Sequence, residues 1–244
     1  MFDLIALGLS PWSEKARWAL DHSGIDYRES EYTPMLGEYW LRWRLRKFSG
    51  RVSVPALIGK EVRLTDSFEI ARFADEHRTR GERLFPHELI AQIEEWNARS
   101  ERATDSTRAL LIERMLGDRE ALSEALPPMI PAPIRLSLTA LAAQGSRFLR
   151  RKYRAREKSP TDHENLIRTE LTVLRGALDG GDYIYDTLSY ADIAMAVVLQ
   201  FLIPPPEGSV AMGPATRRCA RHPVLAEEFA DLGRWRDRLY QRHR

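Results

Sequence analysis

Cysteine is nearly missing from this chain: Cys219 is the only one in 244 residues. A lone thiol excludes an internal disulfide framework and a zinc site built from several cysteines, and it fits a reducing compartment. Long apolar runs are lacking as well. The longest, Ile193 to Ile203, falls well short of the roughly 20 residues that span a bilayer, so no membrane is expected as a partner. Neither sign of charge is in excess. The 37 Lys and Arg against 35 Asp and Glu leave +2, too near neutrality to argue for nucleic acid. No charged leader with an apolar run and a cleavage site opens the sequence, so a cytoplasmic location is expected. A phosphate-binding glycine loop, a His-Glu-x-x-His pattern and a Gly-x-Ser-x-Gly elbow are all absent. The six histidines are scattered without ligand spacing, so no metal is expected.

What is present is a globular composition, 43% hydrophobic and 30% charged, long enough for one large or two ordinary domains. The chain is organised around Gly8-Leu9-Ser10-Pro11-Trp12-Ser13-Glu14-Lys15. Before it, Phe2, Leu4 and Ala6 alternate as in a strand, with Ile5 adding burial on the other face. Ser10 stands where an N-cap belongs, Pro11 at the first helical position and Glu14 in the first turn. Trp12, Ala16, Ala19 and Leu20 trace one helix face down to Gly24, a natural C′ glycine. Taken alone, Ser10 is a cap. Its hydroxyl nevertheless sits at the positive end of a helix macrodipole, among unpaired N–H groups, where an anion such as a thiolate is favoured.

Residues 25–32 alternate as a second strand, which makes a βαβ unit with a parallel pair. Tyr39 to Phe48, dense in Trp and Arg, predicts a short helix with a basic outer face. Val54 to Ile58 is apolar enough for a strand, but Pro55 lacks the N–H that a central strand needs. That implies an edge strand, or one that begins just after the proline. Gly59-Lys60 reads as a hairpin turn, with Val62-Arg63-Leu64 returning. Thr65-Asp66-Ser67 then opens an amphipathic helix through Phe68, Ile70, Ala71, Phe73 and Ala74. Asp66-Ser67 alone reads as a cap; in ligand terms Asp66 suits an ammonium group and Ser67 a carboxylate.

Ser10-Pro11-Trp12-Ser13-Glu14-Lys15 with Arg17-Trp18-Ala19-Leu20, then Ser53-Val54-Pro55, then Asp66-Ser67 with Ile70 and Phe73, together resemble the N-terminal domain of a glutathione transferase. The resemblance implies a thioredoxin-like fold with Ser10 facing the glutathione sulfur. It further implies a cis Pro55, with the Val54 backbone pairing with the tripeptide and Asp66-Ser67 holding its γ-glutamyl end. Lys15 stands where the family often has arginine. The cation for the glycyl carboxylate is left open among Arg46, Lys47 and Arg51.

Residues 78–86 are polar and charged and end the first domain. Leu89, Ile93, Trp96, Ser100, Ala103, Thr107 and Leu110 then make one long helix face. Its small polar middle suits close helix packing or the floor of a ligand cleft. Pro127 to Pro133 predicts an extended connection. The basic run Arg147, Arg150, Arg151, Lys152, Arg154, Arg156 and Lys158 reads as a solvated helix face, since aromatics are few and no reading motif accompanies it. Thr161 to Leu178 is amphipathic and closed by Gly180-Gly181. Ser189-x-x-Asp192 has capping-box spacing at the start of the most apolar helix, and the helical domain of glutathione transferases shares this feature; Asp192 is thus a structural cap.

The expectation is an α/β thioredoxin-like domain over residues 1–78 and an all-helical domain over 87–244. The implied activity is that of a serine-type glutathione transferase, conjugating the thiolate of glutathione, its co-substrate, to a small apolar electrophile held between the domains. With the resemblance come a homodimer and a role in detoxification. Trp12, Trp40 and Trp96 are candidates for lining the electrophile pocket, or packing residues. A different class of reading is a glutathione-fold binding or interaction protein without turnover, because a fold does not confer its relatives' chemistry. A thiol-disulfide oxidoreductase is disfavoured, since Ser10 and Ser13 occupy both positions of the redox Cys-x-x-Cys pattern.

Overall fold

Strand β1 (Phe2–Ala6) has Leu4, Ile5 and Ala6 fully buried, as a strand covered on both faces requires. In the computed structural model, which describes residues 1–34, 37–126, 130–152 and 159–244, β1 lies inside a four-stranded sheet of order β2-β1-β3-β4. Helix α1 (Pro11–His22) leads to β2 (Tyr27–Glu31), which pairs parallel with β1 from Phe2 opposite Tyr27 to Ala6 opposite Glu31. This is the expected βαβ unit. Gly24 takes φ +67 just after α1, where a side chain would run into Thr79 and Arg80.

Helix α2 (Glu38–Leu45) is followed by β3 (Ala56–Ile58), β4 (Arg63–Leu64) and α3 (Ser67–Glu76). Leu41 and Leu45 pack with Ile5, Ala56 and Ile58 on one face of the sheet. On the other face Phe2 meets Phe73 of α3 edge-on at 5.4 Å. There α1 and α3 pack together, both carrying small buried residues (Ala16, Ala19, Ala71, Ala74) that suit close approach. The Val54–Pro55 bond is cis, and β3 begins immediately after Pro55. So the second reading of Pro55 holds: β3 is a central strand whose ladder starts past the residue without an N–H. The connection to β4 spans residues 59–62, closed by Gly59 N–H donating to the Val62 carbonyl at 2.8 Å. With Leu57 opposite Leu64 and Ile58 opposite Arg63, Gly59 falls opposite Val62, so the two-residue turn is Lys60-Glu61, one position later than expected.

The helical remainder comprises α4 (Ile90–Leu116), α5 (Arg119–Glu124), α6 (Ala132–Arg135), α7 (Thr139–Lys152), α8 (Pro160–Leu178), α9 (Tyr190–Val198), α10 (Pro214–Ala220), α11 (Leu225–Glu228) and α12 (Ala230–His243). By contacts the chain divides into two compact units. One combines Met1–Asn97 with Gly181–Val197 and Arg238–Arg244; the other is Ala98–Gly180 with Val198–Asp237. In the first, Tyr190 stacks on Phe85 at 5.1 Å and meets Phe68 of α3 edge-on at 5.4 Å. Asp192 accepts from Ser189 N–H, Ser189 Oγ and Ile184 N–H at 2.8, 2.9 and 2.7 Å, the structural role expected of it.

In the second unit, Glu170 of α8 is buried and takes Arg99 and Arg102 of α4 at 2.9 and 2.8 Å. Glu124 accepts from Ala215 N–H and Thr216 N–H, capping α10 from outside it. Ser100, Ala103, Thr104 and Thr107 are all buried, so the small middle of α4 serves packing. Where an extended connection was expected, Pro131 and Pro133 instead flank the first residue of α6, a helix start where a missing N–H costs nothing; Pro127 to Met129 lie outside the described residues. Of the basic run, Arg147 is exposed on α7, whereas Arg154, Arg156 and Lys158 lie outside the described residues. Among the described residues, no helix is long and apolar enough to cross a membrane.

Candidate functional site

Sheet register brings three separate sequence segments to one edge. Leu4 faces Leu57 and Ile5 faces Ala56 across the β1–β3 ladder, so one further step sets Pro55 beside Ala6, where β1 runs out toward Ser10. Leu57 faces Leu64 on the other side, and the same extrapolation sets Pro55 beside Asp66. Strands lie about 4.8 Å apart, so Ser10, Val54-Pro55 and Asp66-Ser67 share this end of the sheet.

Ser10 is the N-cap of α1, extended at φ −78 and ψ 124, with Pro11 first in the helix. Its Oγ accepts from Ser13 N–H at 3.4 Å, and its own N–H donates to the Leu7 carbonyl at 3.0 Å. The cap expected of Ser10 is therefore formed. A hydroxyl that accepts from the helix still has its proton to give, and no acceptor for it is present among the described residues. The loop before it is held from several sides. Ser13 Oγ accepts from Leu7 N–H at 3.1 Å and Glu31 Oε1 accepts from Gly8 N–H at 3.1 Å.

Asp66 caps α3 with one oxygen, Oδ1, which accepts from Phe68 and Glu69 N–H at 2.8 and 3.2 Å. It is exposed, and its second oxygen makes no hydrogen bond among the described residues. Ser67, next to it, is 2% exposed and its Oγ is buried without any hydrogen-bond partner. Buried hydroxyls are normally satisfied, so an orphan at a helix start fits a group that expects a ligand oxygen. This donor set suits the γ-glutamyl end of glutathione: N–H and O–H for its carboxylate, a free carboxylate oxygen for its ammonium. Of the candidate cations, Arg46, Lys47 and Arg51 are all exposed after α2. Arg42 organises their loop by donating to the Gly50 carbonyl at 3.0 Å while paired with Glu38. Lys15 is fully buried on α1. Trp40 is 39% exposed, and Trp12 and Trp96 are partly buried.

Beneath the Ser10 turn lies an ionic network that sequence reasoning missed. Glu14, in the first turn of α1, has a side chain only 3% exposed. It meets Arg17 at 3.3 Å and Arg244, just past α12, at 2.8 Å. Arg17 also donates to both oxygens of Glu29 and to the Leu7 carbonyl, while Arg244 also pairs with Asp21. Burial works against both arginine charges, yet the neighbouring carboxylates hold both pKa values above the ordinary range. The spacing of Glu14 and Arg17 along one helix was a local signal; nothing local points to Arg244.

Comparison with known proteins bears on the fold that carries these residues. Residues 9–77 match the family model of the glutathione S-transferase N-terminal domain. No curated protein sequence matches the chain. Among solved structures, glutathione transferase GSTFuA3 of Phanerochaete chrysosporium superposes with TM-score 0.67 at 13% identity, covering 100% of this chain and 97% of that one. A glutathione S-transferase of Methylobacillus flagellatus, solved with glutathione bound, gives 0.63 at 18% identity, with 99% and 96% covered. Glutathione transferase F2 of Populus trichocarpa gives 0.62 at 15%, with 99% and 94% covered. Residues 9–77 thus match the glutathione S-transferase N-terminal domain, and the chain has the fold of the glutathione transferases it superposes on.

Proposed function

We propose that this protein is a glutathione transferase that joins the glutathione sulfur to a small apolar electrophile. The observation that carries the reading is the orphaned, buried Ser67 Oγ on the same sheet end as the uncommitted Ser10 proton. Ser67 and Asp66 hold the γ-glutamyl end, and the Val54 backbone ahead of Pro55 pairs with the tripeptide. Ser10 donates to the sulfur, assisted by the α1 dipole. A free thiol with pKa near 8.5 is mostly protonated at neutral pH. Each unit of depression takes about 1.4 kcal/mol of preferential thiolate stabilisation. The thiol proton leaves to solvent and the thiolate attacks the electrophilic carbon: the carbon–sulfur bond forms as a leaving group departs with its bonding pair, or, at an activated double bond, as the displaced π pair takes a proton from water. Ser10 forms no covalent bond. The reading extends to a cytoplasmic homodimer serving detoxification, its assembly open to sedimentation analysis.

Ser10 provides the test. Ser10→Ala should raise the pKa of bound glutathione and lower kcat/KM with modest effect on affinity. Loss of one such donor costs on the order of 10²–10³ in rate at most, since dipole and backbone donors remain. Ser10→Cys should form a mixed disulfide with oxidised glutathione, visible by intact mass with Cys219 removed from both forms. An unmodified Ser10→Cys protein together with a fully active Ser10→Ala reduces Ser10 to a cap. Glutathione affinity without turnover on a broad electrophile panel would leave a binding protein.

A further inference from the structure

The start of α1 carries a contradiction in charge. Its macrodipole offers the equivalent of about half a positive charge to the Ser10 turn. Glu14 puts a full negative charge into the same turn, four residues on and about 6 Å along the axis at 1.5 Å per residue. With a side chain 3% exposed, that carboxylate is poorly screened by water. Left bare, it would outweigh the dipole and oppose a thiolate beside Ser10. Two guanidiniums address it, Arg17 at Oε2 and Arg244 at Oε1. Arg17 comes from the next turn of the same helix, and Arg244 comes from the far end of the sequence with its side chain 21% exposed.

Resting on the Ser10 reading above, we propose that Arg244 is a positioning residue for thiolate formation: with Arg17 it neutralises buried Glu14, so that the α1 start keeps a positive potential toward the glutathione sulfur. The balance of the cluster is tight. Arg17 and Arg244 face three carboxylates, Glu14, Asp21 and Glu29. Removing Arg244 leaves Arg17 shared between Glu14 and Glu29, and the cluster gains one net negative charge. Tyr27 stays neutral here, its pKa raised by burial and by Asp21. Other charged groups at this end of the sheet include Glu31, buried Lys15, Asp66 and Glu69. None of them touches Glu14 among the described residues.

The experiment titrates bound glutathione by the ultraviolet absorbance of its thiolate, alongside the pH profile of kcat/KM. An uncompensated charge at this range shifts a pKa by about one unit, or tenfold in thiolate below the pKa. Arg244→Gln should raise the bound thiol pKa by that amount and move the kcat/KM profile alkaline equally. Arg244→Lys, which keeps the charge, should leave the bound thiol pKa near the wild-type value. Glu14→Gln should lower the pKa, and Glu14→Gln with Arg244→Gln should return it to the wild-type value. If Arg244→Gln melts earlier but binds glutathione with an unshifted thiol, Arg244 is only a structural pin and the proposal falls. Should Arg244→Gln fail to fold, an unshifted thiol in Glu14→Gln overturns it instead. A wild-type protein that binds glutathione without lowering its pKa sinks the Ser10 reading itself, a result separable from failure of the arginine variants.

Discussion

Ser67 and Asp66 are neighbours with opposite structural accounts, and that difference makes them informative. Ser67 Oγ has no partner among the described residues, so Ser67→Ala breaks no hydrogen bond there and removes an unsatisfied buried group. Its melting temperature should match or exceed that of wild type while glutathione affinity falls several-fold, measured by titration calorimetry. A Ser67→Ala protein with unchanged affinity would withdraw Ser67 from the site. Asp66 is a true N-cap through Oδ1, so Asp66→Ala should cost about 1 kcal/mol of stability and also weaken binding. Asp66→Asn keeps the capping oxygen and removes the charge. Binding lost with stability retained isolates the ammonium contact. In the sequence the pair reads as capping residues and, by resemblance, as ligand candidates. The hydrogen bonds assign the cap to Asp66 alone.

Among the elements, α9 begins on the most heavily buried carboxylate of the first unit. Burial pushes Asp192 up to about 6 from an ordinary 3.8, against the opposing pull of the Ile184 and Ser189 donors. A carboxyl raised in the folded state adds its stability in full below the unfolded pKa and loses it as pH rises through the folded one. The stability of wild type relative to Asp192→Asn should therefore decline from about pH 4 to pH 7, by up to about 3 kcal/mol. Denaturant unfolding of both proteins across that range measures it. A gap that stays constant, or widens toward neutral pH, would mean that the donors outweigh burial. In the second unit, Glu170→Gln should lower stability by roughly 1–3 kcal/mol, because Arg99 and Arg102 lose the buried carboxylate that gathers them. Thermal melts at low and high salt should show a loss that salt barely diminishes, since Glu170 is 7% exposed. Helix identities such as these were readable from periodicity and caps. Their ion-pair partners were not, because Arg99 and Arg102 lie 71 and 68 positions from Glu170.

For the whole molecule, the basic run tests whether charge density alone carries function. Replacing Arg150, Arg151, Lys152 and Arg154 by Gln should leave kcat/KM within about twofold, as expected of a solvated face. Tight duplex binding at physiological salt by wild type, lost in the variant, would overturn that expectation. The net charge of +2 already argues against a general polyanion surface.

Local chemistry determined most of the elements. Ser10-Pro11 specified a helix start, Gly24 its end, and the alternation through 25–32 a parallel partner for β1. Pro55 restricted β3 to two possibilities, and the ladder chose the central one. All of these are consequences of donors, φ restrictions and periodicity within a few residues. Tertiary structure alone decided which residues share the sheet end. It took the β1–β3–β4 register to gather Ser10, Pro55 and Asp66-Ser67, and the absence of a partner among the described residues to mark Ser67 Oγ. It also returned residues 181–197 and 238–244 to the unit formed by the first 97. That return carries Arg244 onto Glu14, 230 positions away. A sequence records which charges exist, but the compensation of a buried charge depends on which groups the fold brings within a few ångströms.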